Sequence, residues 1–80
     1  MNEQEIWEAL AHHLREIHPY LFINAKTYHN SHYIMIQKTN CKLLFADTNG
    51  LWFPRCIRHR IDLNDPDLFD KIHKAIQATP

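Results

Sequence analysis

Short turn signals constrain the middle of this 80-residue chain more than any other feature. His29-Asn30-Ser31 and Thr39-Asn40 separate runs rich in β-branched and aromatic residues, and turns this short join antiparallel strands. The predicted strands cover 21–28, 32–38, 41–47 and 51–61, the last interrupted by a proline. We expect an antiparallel meander of three or four strands, because so short a connection is not expected to cross over to a parallel neighbour.

An amphipathic helix is predicted on each side of the strand region. Asn2 is a suitable N-cap before an apolar stripe at helical spacing, which predicts a helix over 3–17. Asp65 as N-cap and Pro66 at the first helical position predict a second helix over 66–78. The expected fold is α+β in two layers, α-β-β-β(-β)-α, with both helices packed on one face of the sheet.

Length and composition limit the classes of protein to consider. A chain of 80 residues has room for one small globular domain spanning 1–80, and a hydrophobic content of 45% excludes a disordered chain. No apolar run approaches the ~20 residues of a membrane span, and the N-terminus is acidic where a signal peptide is basic. We therefore expect a cytoplasmic protein with no membrane partner.

The charges are segregated along the chain, although the formal net charge is zero. Residues 21–60 hold six of the nine basic residues and only one of the nine acidic residues, Asp47. Both ends of the chain are therefore acidic and the strand region is basic. The seven histidines would add positive charge on mild acidification, which leaves a pH sensor as an alternative to ordinary surface histidines.

Strand alternation divides the sheet into a core-facing side and an outer face directed away from the helices. The core-facing residues are expected to be Ile23, Ala25, Ile34, Ile36, Leu43, Phe45, Ile57 and Ile61. The outer face then mixes cations with aromatic rings, a composition that suits single-stranded nucleic acid. The expected nucleic-acid contacts are Lys26, Tyr28, Tyr33, Lys42, Arg58 and Arg60. The alternative is the ordinary solvated face of an antiparallel sheet.

A second cluster of interest is formed by Leu51, Trp52, Phe53 and Arg55 around a proline. Alternation cannot bury all of these rings on one side, so one large ring is expected at the surface, where it could anchor a partner protein. In the competing interpretation, Trp52 folds over the sheet edge and completes a small core. The cluster favours the alternative function of a protein-interaction module, such as an adaptor, an inhibitor or an immunity-type protein, or a homodimer.

Neither a metal nor another cofactor is expected. The pairs His29-x2-His32 and Cys56-x2-His59 contain zinc-ligand types, but residues three apart on a strand point to opposite faces. We expect Cys41 to be a free thiol, like the cysteine of the second pair. The only glycine, Gly50, is expected at a turn position where positive φ is easiest.

One element resembles a known family. Asn30-Ser31-His32, at a turn that enters a strand, resembles the Ser-His element of the small HicA-type RNA-cleaving toxins, whose helix, three strands and helix also match in outline. The resemblance covers essentially two residues and this topology, and the chain lacks the preceding glycine. It implies a remote alternative, a ribonuclease in which His32 is the general base and Lys38 or Arg58 stabilises the phosphorane charge. We expect instead a non-catalytic binding module whose partner is nucleic acid or an acidic protein surface.

Overall fold

A computed structural model describes residues 2–80. Its elements are α1 (Glu3–Ile17), β1 (Phe22–Tyr28), β2 (Ser31–Lys38), β3 (Cys41–Ala46), β4 (Cys56–Arg60) and α2 (Leu68–Ala78). The four strands form one sheet in the order β1-β2-β3-β4, and the two helices flank it. The predicted α+β fold is confirmed. Over residues 2–80, neither helix has the length and apolar character needed to cross a bilayer.

Both predicted hairpin turns are present, and each uses backbone in the left-handed region. Tyr28 pairs with Ser31, so the turn between them consists of His29 and Asn30, at φ 46° and 63°. Positive φ at both central positions gives the twist that joins two antiparallel strands. The second turn, between β2 and β3, places Thr39 at φ 50°. These turns fix the register of the three-stranded meander.

The fourth strand runs in the direction that the sequence did not predict. β4 is parallel to β3, with Lys42 opposite Cys56 and Ala46 opposite Arg60. The expectation that so short a connection could not cross over is wrong, because a six-residue strand is only ~20 Å long and nine extended residues reach ~30 Å. Residues 47–55, here named the crossover, lie over the outer face of the sheet.

Apolar side chains cover both faces of the sheet. The main core lies between the sheet and the helices, and its largest members include Trp7, Phe45 and Ile72. A smaller core lies on the outer face, where the crossover buries Leu51 against three sheet residues: Tyr33, Leu44 and Ala46. Of the predicted core-facing residues, Ile57 is the exception, because it lies on the edge strand and is 45% exposed.

The second helix begins later than its capping residues suggested. Asn2 caps α1 as predicted, accepting a hydrogen bond from the Glu5 N–H at 2.9 Å. Asp65 instead accepts from the Asp67 N–H at 2.8 Å, so it closes the turn that precedes α2. The helix then begins at Leu68.

The four positive φ angles of the described residues all belong to residues other than glycine. Gly50 has a negative φ, so the expectation of a left-handed conformation there is wrong. A Cβ at this position would meet only the Thr48 Oγ1 atom, at 3.5 Å, which is an ordinary contact. Nothing in the local geometry of the crossover therefore requires a glycine at this position.

Gly50→Ala is expected to stabilise the protein by about 0.4–1 kcal/mol, because alanine restricts the unfolded chain and fits the folded one. Urea unfolding followed by the fluorescence of buried Trp7 measures the change. Asn30→Ala is the matched comparison and should destabilise, because Asn30 has a positive φ that alanine adopts poorly. Loss of stability in Gly50→Ala would contradict the expectation.

Candidate functional site

Five cations lie on the outer face or on the crossover above it: Lys26, Lys42, Arg55, Arg58 and Arg60. The register places Lys26 and Arg60 in one row across the sheet, on the two edge strands, while Lys42 and Arg58 lie in neighbouring rows. All five residues are exposed. The ion pairs found within residues 2–80 involve none of them.

No carboxylate shares this face. Asp47 is the only acidic residue between 18 and 61, and it lines a cleft on the helix side of the sheet together with His59. The other acidic residues lie on α1, on α2 and in the connection that precedes α2. The five cations of the outer face are therefore in a different layer from the carboxylates, and this face carries a positive potential.

Three aromatic rings are exposed on the same side of the molecule. Trp52 on the crossover is 67% exposed, Phe22 on β1 is 66% exposed and Tyr28 is 48% exposed. Phe22 is missing from the predicted contacts, although the alternation that places Lys26 and Tyr28 on the outer face also includes residue 22. The surface formed by the five cations and these three rings is named the basic-aromatic surface.

Tyr33 was predicted to contact nucleic acid but is buried. Its side chain is only 6% exposed, because Phe53 of the crossover lies over it with the ring centroids 5.3 Å apart. Burial, with a smaller contribution from neighbouring Cys56, raises the pKa of the Tyr33 hydroxyl. The predicted role of Tyr33 as a stacking platform is therefore replaced by a structural role beneath the crossover.

The cluster predicted as a protein-interaction site is divided between core and surface. Leu51 is buried in the outer core, and half-buried Phe53 packs on Tyr28 with the ring centroids 5.5 Å apart. Arg58 donates a side-chain hydrogen bond to the Leu51 carbonyl, which attaches the crossover to β4. Leu51, rather than Trp52, completes the small core, and only Trp52 and Arg55 of the predicted cluster remain exposed.

The residues of the ribonuclease alternative do not converge. The Nδ1 atom of His32 lies 2.9 Å from the Thr27 hydroxyl, and its Nε2 atom lies 3.7 Å from a Glu3 carboxylate oxygen on α1. Lys38 is at the opposite end of β2, where it donates to the Ile76 carbonyl at 2.6 Å. Arg58 lies on the opposite face of the sheet. Neither of the two cations that this alternative requires therefore lies beside His32.

The cysteines and the predicted zinc-type pairs are also separated. Cys41 and Cys56 are both free thiols. Cys56 points to the outer face, where it packs on the small core, while His59 points to the helix side and stacks on Phe45. No group of three His, Cys, Asp or Glu side chains with metal-binding geometry occurs in residues 2–80.

A cleft of about 690 Å³ opens between β4 and α2 on the helix side of the sheet. The His59 ring stacks on Phe45 at its wall, with ring centroids 5.0 Å apart and planes 14° apart. The His59 Nε2 atom is buried and has no hydrogen-bond partner within residues 2–80. Burial lowers the pKa of His59, because the charged imidazolium loses its hydration there.

Two half-buried histidines connect the C-terminal end of α1 to α2. The His73 Nδ1 atom lies 3.1 Å from the His18 Nε2 atom, a distance at which one ring donates a hydrogen bond to the other. Burial lowers the pKa of His18, and the neighbouring charges of His73 and Lys38 lower it further. The surroundings of His59 and of His18 therefore disfavour the protonated ring.

These shifts predict a loss of stability on mild acidification. Unfolded histidine titrates near pH 6.5, and the pKa values of His59 and His18 lie lower in the folded state. The unfolded chain therefore binds more protons between the two values, so stability is complete above about pH 6.5 and falls as the pH drops through this window. Urea unfolding at about pH 7.5 and about pH 5.5 measures the difference.

His59→Phe separates the contribution of the unpartnered nitrogen. Phenylalanine retains a ring over Phe45 and removes the buried Nε2 atom, so we expect about 1 kcal/mol of added stability at neutral pH and a weaker pH dependence. His12→Gln, an exposed position on α1, should leave most of the pH dependence unchanged. A pH profile equal to that of the wild type in His59→Phe would contradict the role of His59.

The chain has no significant match to any protein-family model, to any curated protein or to any solved structure. What the basic-aromatic surface and the cleft bind must therefore follow from their own side chains.

Proposed function

We propose that this chain is a non-catalytic module that binds single-stranded nucleic acid through the basic-aromatic surface. The observation that carries the proposal is the separation of charge between the two layers of the molecule. Five cations without a carboxylate partner occupy the same side as three exposed aromatic rings. A polyanion with unpaired, stackable bases satisfies both parts of such a surface.

The chemistry assigns different tasks to the two residue types. Lys26, Lys42 and Arg60 are exposed and have no ion-pair partner within residues 2–80, so they are the cations best placed to contact phosphates. Phe22, in the same row across the sheet as Lys42, and Trp52 on the crossover offer rings to bases. Stacking on such rings requires unpaired bases, which favours single strands over a duplex.

Fluorescence anisotropy with a labelled mixed-sequence 12-nucleotide RNA and its DNA equivalent tests the proposal. Three phosphate contacts predict an affinity about twentyfold lower at about 200 mM salt than at about 50 mM. Lys42→Ala should weaken binding and reduce the slope of log affinity against log salt by about 0.7. Trp52→Ala should weaken binding by about 1–3 kcal/mol without changing that slope.

Lys74→Ala is the matched control. Lys74 is exposed on α2 and pairs with Asp70 at 3.0 Å, so its removal makes the same change in net charge on the opposite layer. We expect this variant to bind like the wild type. Equal losses in Lys42→Ala and Lys74→Ala would mean that net charge, rather than this surface, attracts the nucleic acid, and absence of binding at about 50 mM salt would refute the proposal.

A protein partner is the second candidate function, and the exposure of Trp52 favours it. A tryptophan that is 67% exposed beside Arg55 combines two residue types that dominate protein interfaces. A complex centred on Trp52, including a homodimer, should lose most of its affinity in Trp52→Ala and respond weakly to salt. This salt response distinguishes it from nucleic-acid binding through the same surface.

A further inference from the structure

β4 is an open edge of the sheet. The Ile61 N–H donates to the Ala46 carbonyl at 2.8 Å, continuing the ladder between β3 and β4. In a parallel ladder, alternate residues direct their backbone groups to the partner strand. The N–H and C=O groups of the intervening residues, Cys56, Arg58 and Arg60, therefore point away from the sheet. No other backbone hydrogen bond found in residues 2–80 reaches these groups.

The opposite edge of the sheet is protected. Tyr28 and Ser31 form the hydrogen-bonded pair that closes the hairpin, and every second β1 residue before Tyr28 likewise directs its backbone groups to β2. Ile23 lies between two such residues, so its backbone N–H and C=O groups point away from the sheet. The Arg15 side chain on α1 donates to the Ile23 carbonyl at 2.8 Å. A side chain that occupies an outward carbonyl blocks the pairing of a further strand. β1 therefore has a block that β4 lacks.

Clefts lie on both sides of the β4 edge. The cleft of about 690 Å³ described above borders His59 on the helix side, and a second cleft of about 270 Å³ borders Arg58 and Arg60 on the outer side. Side chains of a strand point alternately to the two sides of a sheet. A strand added to β4 would direct its side chains alternately toward these two clefts.

The two clefts differ in chemistry. The outer cleft is lined by Arg58 and Arg60 and contains no carboxylate, so it suits acidic side chains. On the helix side, exposed Ile57 suits apolar side chains. Three carboxylates line the cleft on that side, which disfavours acidic side chains there: Asp47, Asp62 and Asp65. A segment that alternates acidic and apolar residues matches both sides of the β4 edge.

We propose that β4 accepts an extended acidic segment of a partner protein as a fifth strand of the sheet. The backbone groups of Cys56, Arg58 and Arg60 supply the hydrogen bonds, and the two clefts select alternating acidic and apolar side chains. A second copy of this chain is a poor occupant, because two antiparallel β4 strands would bring arginines of one copy against arginines of the other. The site goes beyond nucleic-acid binding, although both ligands use Arg60.

The test uses a blocked hexapeptide, acetyl-(Glu-Val)3-amide, at about 1 mM with the full chain. Amide hydrogen exchange followed by NMR should show new protection at Cys56, Arg58 and Arg60, whose N–H groups have no partner in the free protein. The uncharged peptide acetyl-(Gln-Val)3-amide is the matched probe and should give much weaker protection, because it has no carboxylate for the arginine-lined outer cleft. Protection by both peptides alike, or by neither, would overturn the proposal.

Two variants at one position separate the backbone from the charge. Arg60→Gln removes the cation and retains the outward N–H, while Arg60→Pro removes both and leaves the ladder to β3 unchanged. We expect Arg60→Pro to bind the acidic peptide about tenfold more weakly than Arg60→Gln. Equal affinities would show that the peptide contacts only the charge and does not add a strand.

Two further measurements distinguish the peptide from a second copy of this chain at the β4 edge and peptide binding from RNA binding. Protection of the same three amides that rises with protein concentration in the absence of peptide would assign the edge to a second copy and overturn the proposal. Lys26→Ala changes a cation on β1, at the opposite edge of the sheet, so this variant should bind the acidic peptide like the wild type while losing affinity for RNA. Failure of the peptide arm and failure of the nucleic-acid arm are therefore separate results.

Discussion

The parallel pairing of β4 with β3 determines the path that the chain takes over the sheet. A parallel neighbour requires the chain to return across the sheet, and α1 and α2 already occupy the helix side. The return therefore passes over the outer face, where Leu51 is buried and the Arg58 side chain bonds its carbonyl. The crossover therefore covers Tyr33, exposes the Trp52 side chain to solvent and leaves β4 as an edge strand of the sheet.

The crossover also determines how charge is distributed. Asp47 is the only acidic residue of the crossover, and it faces the helix side. The crossover therefore adds Arg55 to the outer face and does not neutralise the cations there. The acidic residues lie in the helical layer, where Lys71 and Lys74 pair with Asp65 and Asp70. A protein with zero formal net charge thus presents one face of uniform sign, which an overall charge does not reveal.

Local patterns in the sequence predicted the parts of the fold that depend on neighbours in the chain. The Asn2 cap, the two hairpin turns and the face of each β1 to β3 residue follow from spacing and turn chemistry. The direction of β4 does not, because the crossover that sets it packs Leu51 on Tyr33 of a non-adjacent strand. That contact also explains why Tyr33 was predicted at the surface and is found buried.

The sequence predicted the cations of the candidate site but not the open edge of the sheet beside them. Alternation placed Lys26, Lys42, Arg58 and Arg60 on one face, since each lies on a strand whose register the turns or the ladder fix. The free edge could not be predicted, because it requires the order of the strands and the knowledge that Arg15 reaches across to β1. A hydrogen bond between a helix side chain and a strand carbonyl leaves no periodic signal in a sequence.

The most direct test of RNA binding by the basic-aromatic surface is an amide NMR titration of the full chain with the same short RNA. If the outer layer is the binding face, the shifts cluster on Phe22, Lys26, Lys42 and Trp52 and leave α2 unchanged, because α2 lies on the other side of the sheet. Shifts centred on α1 or α2, or spread evenly over both layers, would contradict the account.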